Sequence, residues 1–285
     1  MGILYLVRHG QANSGGLHTS DVADGAMEET YDRLTPLGHE QAAATGRSLA
    51  ARIGGAGRGA AEKGAARISA AREGAAREGA AQESAAGEST AQPVVLSGPL
   101  GRQLSTAEGV HAELEAAGLE PQAIRMVEQW REFSSDDVLA PYFRAHPDKL
   151  AEIRRAYEAA RDNPRGMKEH NRLLGRAIDA ALREWRSTPA FDAFSAQVRQ
   201  GFSDATSLAA GDQPVVVVTS GGPISMCAAE LIGADWTRLI NNIFTTSVSV
   251  FSVRSAGKAQ LLSFNEHAHL DIPDASGSRP LRRYR

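Results

Sequence analysis

Residues 214–223 read PVVVVTSGGP, and the reading of this stretch decides the fold. Four consecutive valines lack the polar alternation of a strand with one wet face, so the strand they form is buried on both sides. Sheets covered on both faces are mostly parallel, with helices as the connections. The next residues fit that arrangement. Thr219, Ser220, Gly221 and Gly222 make a glycine-rich turn, and the apolar run beyond Pro223 reads as a helix that stops at Gly233. The N–H groups at the start of that helix are a ready seat for an anion.

Working outward, the same unit recurs. Ile3 to Val7 and Pro93 to Ser97 read as buried strands and Ile124 to Val127 as a third short strand, each ending in a polar or glycine-containing loop. Residues 34–53, LTPLGHEQAAATGRSLAARI, read as a helix capped by Thr35 with Pro36 at its first position. Ala107, Val110, Leu114 and Ala117 share a face of a second helix, which Gly118 ends. SVSVFSV and AQLLSF close the chain as two strands around the turn at Ser255 to Lys258. The expectation is one α/β domain spanning residues 1–285. It is a three-layer α/β/α sandwich around a mostly parallel sheet with an antiparallel edge.

Two stretches stand apart from this rhythm. Residues 54–92 are nearly all Ala, Gly, Glu, Arg and Ser, with Ile68 the one large apolar side chain. So little apolar surface cannot support a packed element, and the segment reads as a low-complexity insert, frayed or partly helical. Residues 134–211 carry three helical stripes and are expected to form a helical cap region. The stripes are Leu150, Ile153 and Tyr157, then Leu174, Ile178, Leu182 and Trp185, then Phe191, Phe194, Val198 and Phe202.

A net charge of −3 gives no general pull toward nucleic acid or an acidic membrane surface, so neither is expected as a partner. Cys227 is the sole cysteine, which excludes an intramolecular disulfide and suits a reducing compartment. The N-terminal apolar run is too short for a signal peptide or a membrane span. These readings point to a soluble, cytoplasmic protein.

In parallel sheets ligands gather at the carboxyl ends of the strands. The first strand ends there in LVRHGQ, residues 6–11, presenting Arg8, His9 and Gly10 together. Alone, that is as well explained by a strand end meeting water. Its partners at other strand ends make the difference: Arg102 at a helix start, Glu128 after the third strand, and the TSGGP turn after the fourth. Together they would supply a nucleophilic imidazole, two guanidiniums, a carboxylic acid and a set of N–H donors. That set suits phosphoryl transfer, where cations meet the equatorial oxygens and the leaving oxygen needs a proton. For Glu128 the competing reading is a solvated carboxylate beside Arg131.

The chain resembles the histidine phosphatase superfamily, the group that includes cofactor-dependent phosphoglycerate mutase. The resemblance rests on LVRHGQ (6–11), YDRLTPLGHEQA (31–42), LSGPLGRQLSTAE (96–108), MVEQW (126–130), VVVVTSGGPI (215–224) and LLSFNEHAHL (261–270). It implies His9 as the phosphorylated nucleophile, Arg8 and Arg102 as phosphate clamps, and Glu128 as the general acid. Gly10, Asn13, Ser220, Gly221 and Gly222 would contact the substrate. The family has Ser or Thr where Ala12 stands, leaving Asn13 or Ser14 as substitutes. Its fourth-strand motif ends in a second histidine where this chain has Ser220. His267 and His269 have a spacing that suggests a metal pair, but further ligands are missing from the sequence. No metal or organic cofactor is expected. The function implied is a phosphatase acting on a small phosphorylated metabolite through a phosphohistidine. The alternatives are a mutase and a weakly active or non-catalytic phosphate- or phosphopeptide-binding module.

Overall fold

The protein is described from a computed structural model covering residues 1–12, 32–75, 92–160, 164–211, 213–277 and 279–282. Strands β1 (Gly2–Arg8), β2 (Val94–Ser97), β3 (Arg125–Met126), β4 (Val215–Thr219), β5 (Val248–Ser255) and β6 (Lys258–Glu266) form one sheet, ordered β3-β2-β4-β1-β5-β6. β3, β2, β4 and β1 run parallel, while β5 is antiparallel to β1 and β6 to β5. The four valines place β4 at the centre of the sheet, fully buried, between β1 and β2.

Period-two alternation splits each strand between two cores. Leu4, Leu6, Val94, Leu96, Val215 and Val217 face one core; Tyr5, Val7, Val95, Val216 and Val218 face the other. The second core is closed by α1 (Pro36–Ala75), through Leu49, Ala50 and Ile53, and by α2 (Gly101–Ala116), through Ala107, Val110 and Leu114. The first is closed by α6 (Pro189–Ala209), through Val198, Ala205 and Ala209, and by α7 (Gly221–Ile232), through Ile224, Met226 and Ala229. This is the three-layer sandwich expected from sequence.

The element ends follow local chemistry. Thr35 Oγ1 accepts the Gly38 N–H at 3.0 Å, capping α1 with Pro36 as its first residue. Beyond α2, Gly118 has φ 76°, and Gly233 ends α7 with φ 67°, conformations that favour glycine. α1 continues to Ala75, so the first part of the low-complexity stretch extends a helix. Residues 76–91 lie outside the described residues.

Helices α3 (Ser135–Ala145), α4 (Pro147–Ala160) and α5 (Pro164–Trp185) pack on one another, and a short α8 (Trp236–Ile240) follows α7. The residues expected to form a helical cap include α6, which supplies part of the layer on β1, β4 and β5. Among the described residues no helix is long and apolar enough to cross a membrane.

Candidate active site

The parallel register pairs Arg8 of β1 with Thr219 of β4. His9 and Ser220, each one residue past its strand, are therefore neighbours at the carboxyl edge of the sheet. The His9 N–H donates to the Thr219 carbonyl at 2.8 Å, and the His9 carbonyl accepts the Thr246 N–H at 3.3 Å. Thr246 holds φ 52°, an uncommon conformation for a β-branched residue, in the loop that braces His9.

Gly10 completes the seat from inside the protein. Its N–H donates to Thr106 Oγ1 at 2.9 Å, and its carbonyl lies 2.8 Å from His9 Nδ1. A Cβ on Gly10 would come 2.6 Å from the Gly38 carbonyl oxygen, so the close passage of two backbones requires glycine here. These contacts make Gly10 a support for the imidazole.

The imidazole tautomer follows from its partners. Arg102 Nε–H donates to His9 Nε2 at 3.2 Å, and a guanidinium can only donate. Nε2 therefore carries the lone pair, and Nδ1 carries the hydrogen directed at the Gly10 carbonyl. His9 is 3% exposed, so burial and two hydrogen bonds fix the ring with its basic nitrogen against a cation.

Arg102 is set by Asp32. Its Nη1 lies 3.1 Å from Asp32 Oδ1, and the Asp32 carboxylate also accepts the N–H groups of Gly101 at 2.7 Å and Arg102 at 3.3 Å. A cation in the first turn of α2 opposes the helix dipole, and Asp32 supplies the anion that offsets it. Arg8 is equally buried, its guanidinium donating to the Ile243 carbonyl. Sequence reasoning misses Asp32, because nothing near it in the YDRLT motif marks a partner seventy residues away.

The carboxylic acid brought into the site is Glu132, and Glu128 stays outside. Glu128 is 61% exposed at the start of a 3-10 turn (Glu128–Trp130) and pairs with Arg131. Trp130, wholly buried, anchors the turn; Arg131 then points out and Glu132 in. Part of Glu132 reaches the surface, but its carboxyl lies deep. Oε2 accepts the Gly222 N–H at 2.9 Å and Oε1 the Phe133 N–H at 3.2 Å. Burial pushes this carboxyl above the ordinary carboxylate range, while the Gly222 N–H, Arg102, the Phe133 N–H and Arg8 oppose the shift. Glu132 is flanked by aromatics, a signal that it belongs to an inward-facing segment. Phe133 packs on Trp185, Phe194 and Trp236 with ring centres 4.9, 5.5 and 6.3 Å apart, which ties this segment to the helical region.

The turn after β4 holds Ser220, Gly221 and Gly222, all buried. A Cβ on Gly222 would lie 2.1 Å from Glu132 Oε1, so this glycine makes room for the carboxyl, and its N–H is already given to it. At Gly221 a Cβ would make only ordinary contact with Ile240 at 3.5 Å. Ser220 Oγ accepts a hydrogen from Gln103 Nε2 at 2.9 Å. Asn13 and Ser14, the candidates beside the RHG motif, lie outside the described residues.

The two late histidines do separate structural work. His269 Nε2 is 2.9 Å from Thr45 Oγ1 and 3.1 Å from the Thr246 carbonyl, bracing the loop behind His9, and burial lowers its basicity. His267 stacks on Phe244 with ring centres 4.1 Å apart. Among the described residues no cluster of three or more His, Cys, Asp or Glu could hold a metal ion.

Comparison with known proteins bears on the fold and the family. Among solved structures, phosphoglycerate mutase from Bacillus anthracis aligns with a TM-score of 0.50 at 18% identity, covering 94% of each chain. YhfR of Bacillus stearothermophilus aligns with a TM-score of 0.50 at 17% identity, covering 94% of this chain and 98% of its own. A phosphoserine phosphatase from Entamoeba histolytica, solved with phosphoserine, gives 0.48 at 17% identity, over 95% of this chain and all of its own. At such identities the likeness to the first two is one of fold. No curated protein matches the sequence significantly. The family model of the histidine phosphatase superfamily (branch 1) matches residues 73–267, more than half the chain. With that match, the chain belongs to the histidine phosphatase superfamily.

Proposed function

We propose that this protein is a phosphatase for a small phosphorylated metabolite, acting through a phosphohistidine on His9. The observation that carries the proposal is the Arg102 Nε–H directed at His9 Nε2, which marks Nε2 as the unprotonated nitrogen of a buried, oriented imidazole. The expected general acid is Glu132 in place of Glu128, because its deep carboxyl keeps a proton to a higher pH. Arg102 Nε–H turns from Nε2 to a phosphoryl oxygen and frees the lone pair; Nε2 then attacks phosphorus as the bond to the leaving oxygen breaks, and the Glu132 proton passes to that oxygen. Water then attacks the phosphohistidine, its proton goes to the Glu132 carboxylate, and the P–N bond breaks to release phosphate. Arg8 and Arg102 offset charge on the equatorial oxygens in both steps. The helical region from α3 to α6, joined to the site through Phe133, is where we expect substrate choice to be set. Ser220 stands in this reading where relatives carry a second histidine; it donates one hydrogen bond and no charge. Losing one preorganised donor slows an enzyme by about a hundred- to a thousandfold, a loss that leaves turnover measurable.

The test is a screen of phosphorylated metabolites and a generic aryl phosphate with wild type and His9→Ala. Wild type should release phosphate and form an acid-labile, base-stable phosphoryl adduct that His9→Ala lacks. Equal hydrolysis by pure His9→Ala would falsify the mechanism. Transfer between positions of a sugar acid with little hydrolysis would instead mark a mutase.

A further inference from the structure

We propose that Gln103 is a positioning residue that turns the Ser220 hydroxyl into a hydrogen-bond donor for the transferring phosphoryl group. The inference rests on the phosphoryl-transfer reading and concerns a residue that reading leaves idle. Gln103 is wholly buried in the first turn of α2, one residue after Arg102. Its amide orientation is fixed by two unambiguous partners. Oε1 lies 3.1 Å from the Leu100 N–H, which can only donate, and Nε2 lies 3.1 Å from the Trp130 carbonyl, which can only accept. The second hydrogen on Nε2 is then directed at Ser220 Oγ, 2.9 Å away.

A serine hydroxyl has one hydrogen and two lone pairs. With a lone pair accepting from Gln103, the Ser220 hydrogen is left to point elsewhere. Ser220 sits beside His9 at the sheet edge, where a phosphoryl group on Nε2 would need donors. An undirected hydroxyl would instead spend part of its time aimed at a protein acceptor. The same amide also donates to the Trp130 carbonyl, which keeps the Thr219 hydroxyl as a donor at 2.7 Å when Gln103 is changed. Space has been cleared for this junction. A Cβ on Gly98 would come 2.2 Å from Gln103 Oε1 and 2.6 Å from the Trp130 carbonyl oxygen.

A double-mutant cycle on the full chain tests the assignment, using Gln103→Leu, Ser220→Ala and the pair. Gln103→Glu is a near-isosteric second variant should the leucine fold poorly. Its carboxylate would accept the Ser220 hydrogen and draw it away from the pocket. Each single variant should lower kcat by about tenfold with little change in KM, because the donor acts where charge builds. In the Ser220→Ala background, either change at Gln103 should cost less than about twofold more. The same coupling should appear in calorimetric binding of orthovanadate. Coupled losses in vanadate binding, from a wild type that hydrolyses no ester, would retain the positioning role while the phosphatase reading fails. Additive losses, or a fall in melting temperature with kcat unchanged, overturn the positioning role. Absence of both turnover and vanadate binding overturns both readings.

Discussion

Glu132 and Glu128 stand four residues apart, and one 3-10 turn sends them to opposite environments. Glu128→Gln removes an exposed ion pair and should leave turnover within about twofold of wild type. In the mechanism proposed above, Glu132→Gln removes the proton that the leaving oxygen needs, and kcat should fall by about a hundred- to ten-thousandfold. The pH dependence has a definite sign. Burial raises the Glu132 value, so the folded protein holds this proton where the unfolded chain has released it. This carboxyl's contribution to stability is complete below the ordinary carboxylate range and is lost as pH rises through the raised value. The melting temperature of Glu132→Gln should therefore gain on wild type as pH rises through that window, read by calorimetry at several pH values. A constant difference would place the carboxyl in water. His9, Arg8 and Arg102 are legible in the sequence because their motifs sit at strand ends. Glu132, Asp32 and Gln103 are not, since each depends on which way a turn or loop aims a side chain.

At the scale of elements, the sequence is most readable where burial is symmetrical, as in the valines of β4, and least readable at edges. β3 is two exposed residues where the sequence predicts a strand of four, Ile124 to Val127, because its outer side has no neighbouring strand to bury it. The close approach of α1 and α2 has a readable cause in small residues. A Cβ on Gly46 would lie 2.7 Å from Glu113 Cβ, and one on Gly109 would lie 3.0 Å from Ala42 Cβ. Arg47 and Glu113 bridge the rim of the same contact at 2.7 Å. Gly46→Val should push the two helices apart and destabilise the protein by on the order of 1–3 kcal/mol. Thermal unfolding should show a drop of several degrees, with an accompanying loss of activity. α2 carries Arg102 and Gln103 from its first turn, so its shift reaches the site. An unchanged melting temperature would mean that this contact is looser than its geometry implies.

At the scale of the whole molecule, β1 from one end of the chain lies between β4 and β5 from the other, and the low-complexity stretch falls between β1 and β2. Among the described residues, α1 contributes to the core as far as Ile53, and Gly54 and Gly55 have open space around their Cβ positions. From residue 56 to residue 91 the sequence offers Ile68 as its one large apolar side chain, too little to stabilise a packed contact. Among the described residues, the contacts that build the site come from outside that range. Replacing residues 56–91 with a flexible Gly/Ser bridge of about ten residues shortens a closed loop, and loop entropy changes slowly with length. The expected outcome is a soluble protein whose melting temperature stays within about 3 °C of wild type, a shift of roughly 1 kcal/mol for a chain of this size. Its kcat and KM toward the aryl phosphate should match those of the full chain. If the shortened protein is insoluble, or melts far lower, the stretch takes part in the core despite its composition. If it folds and only its KM rises, the stretch touches substrate and the helical region does not set specificity alone.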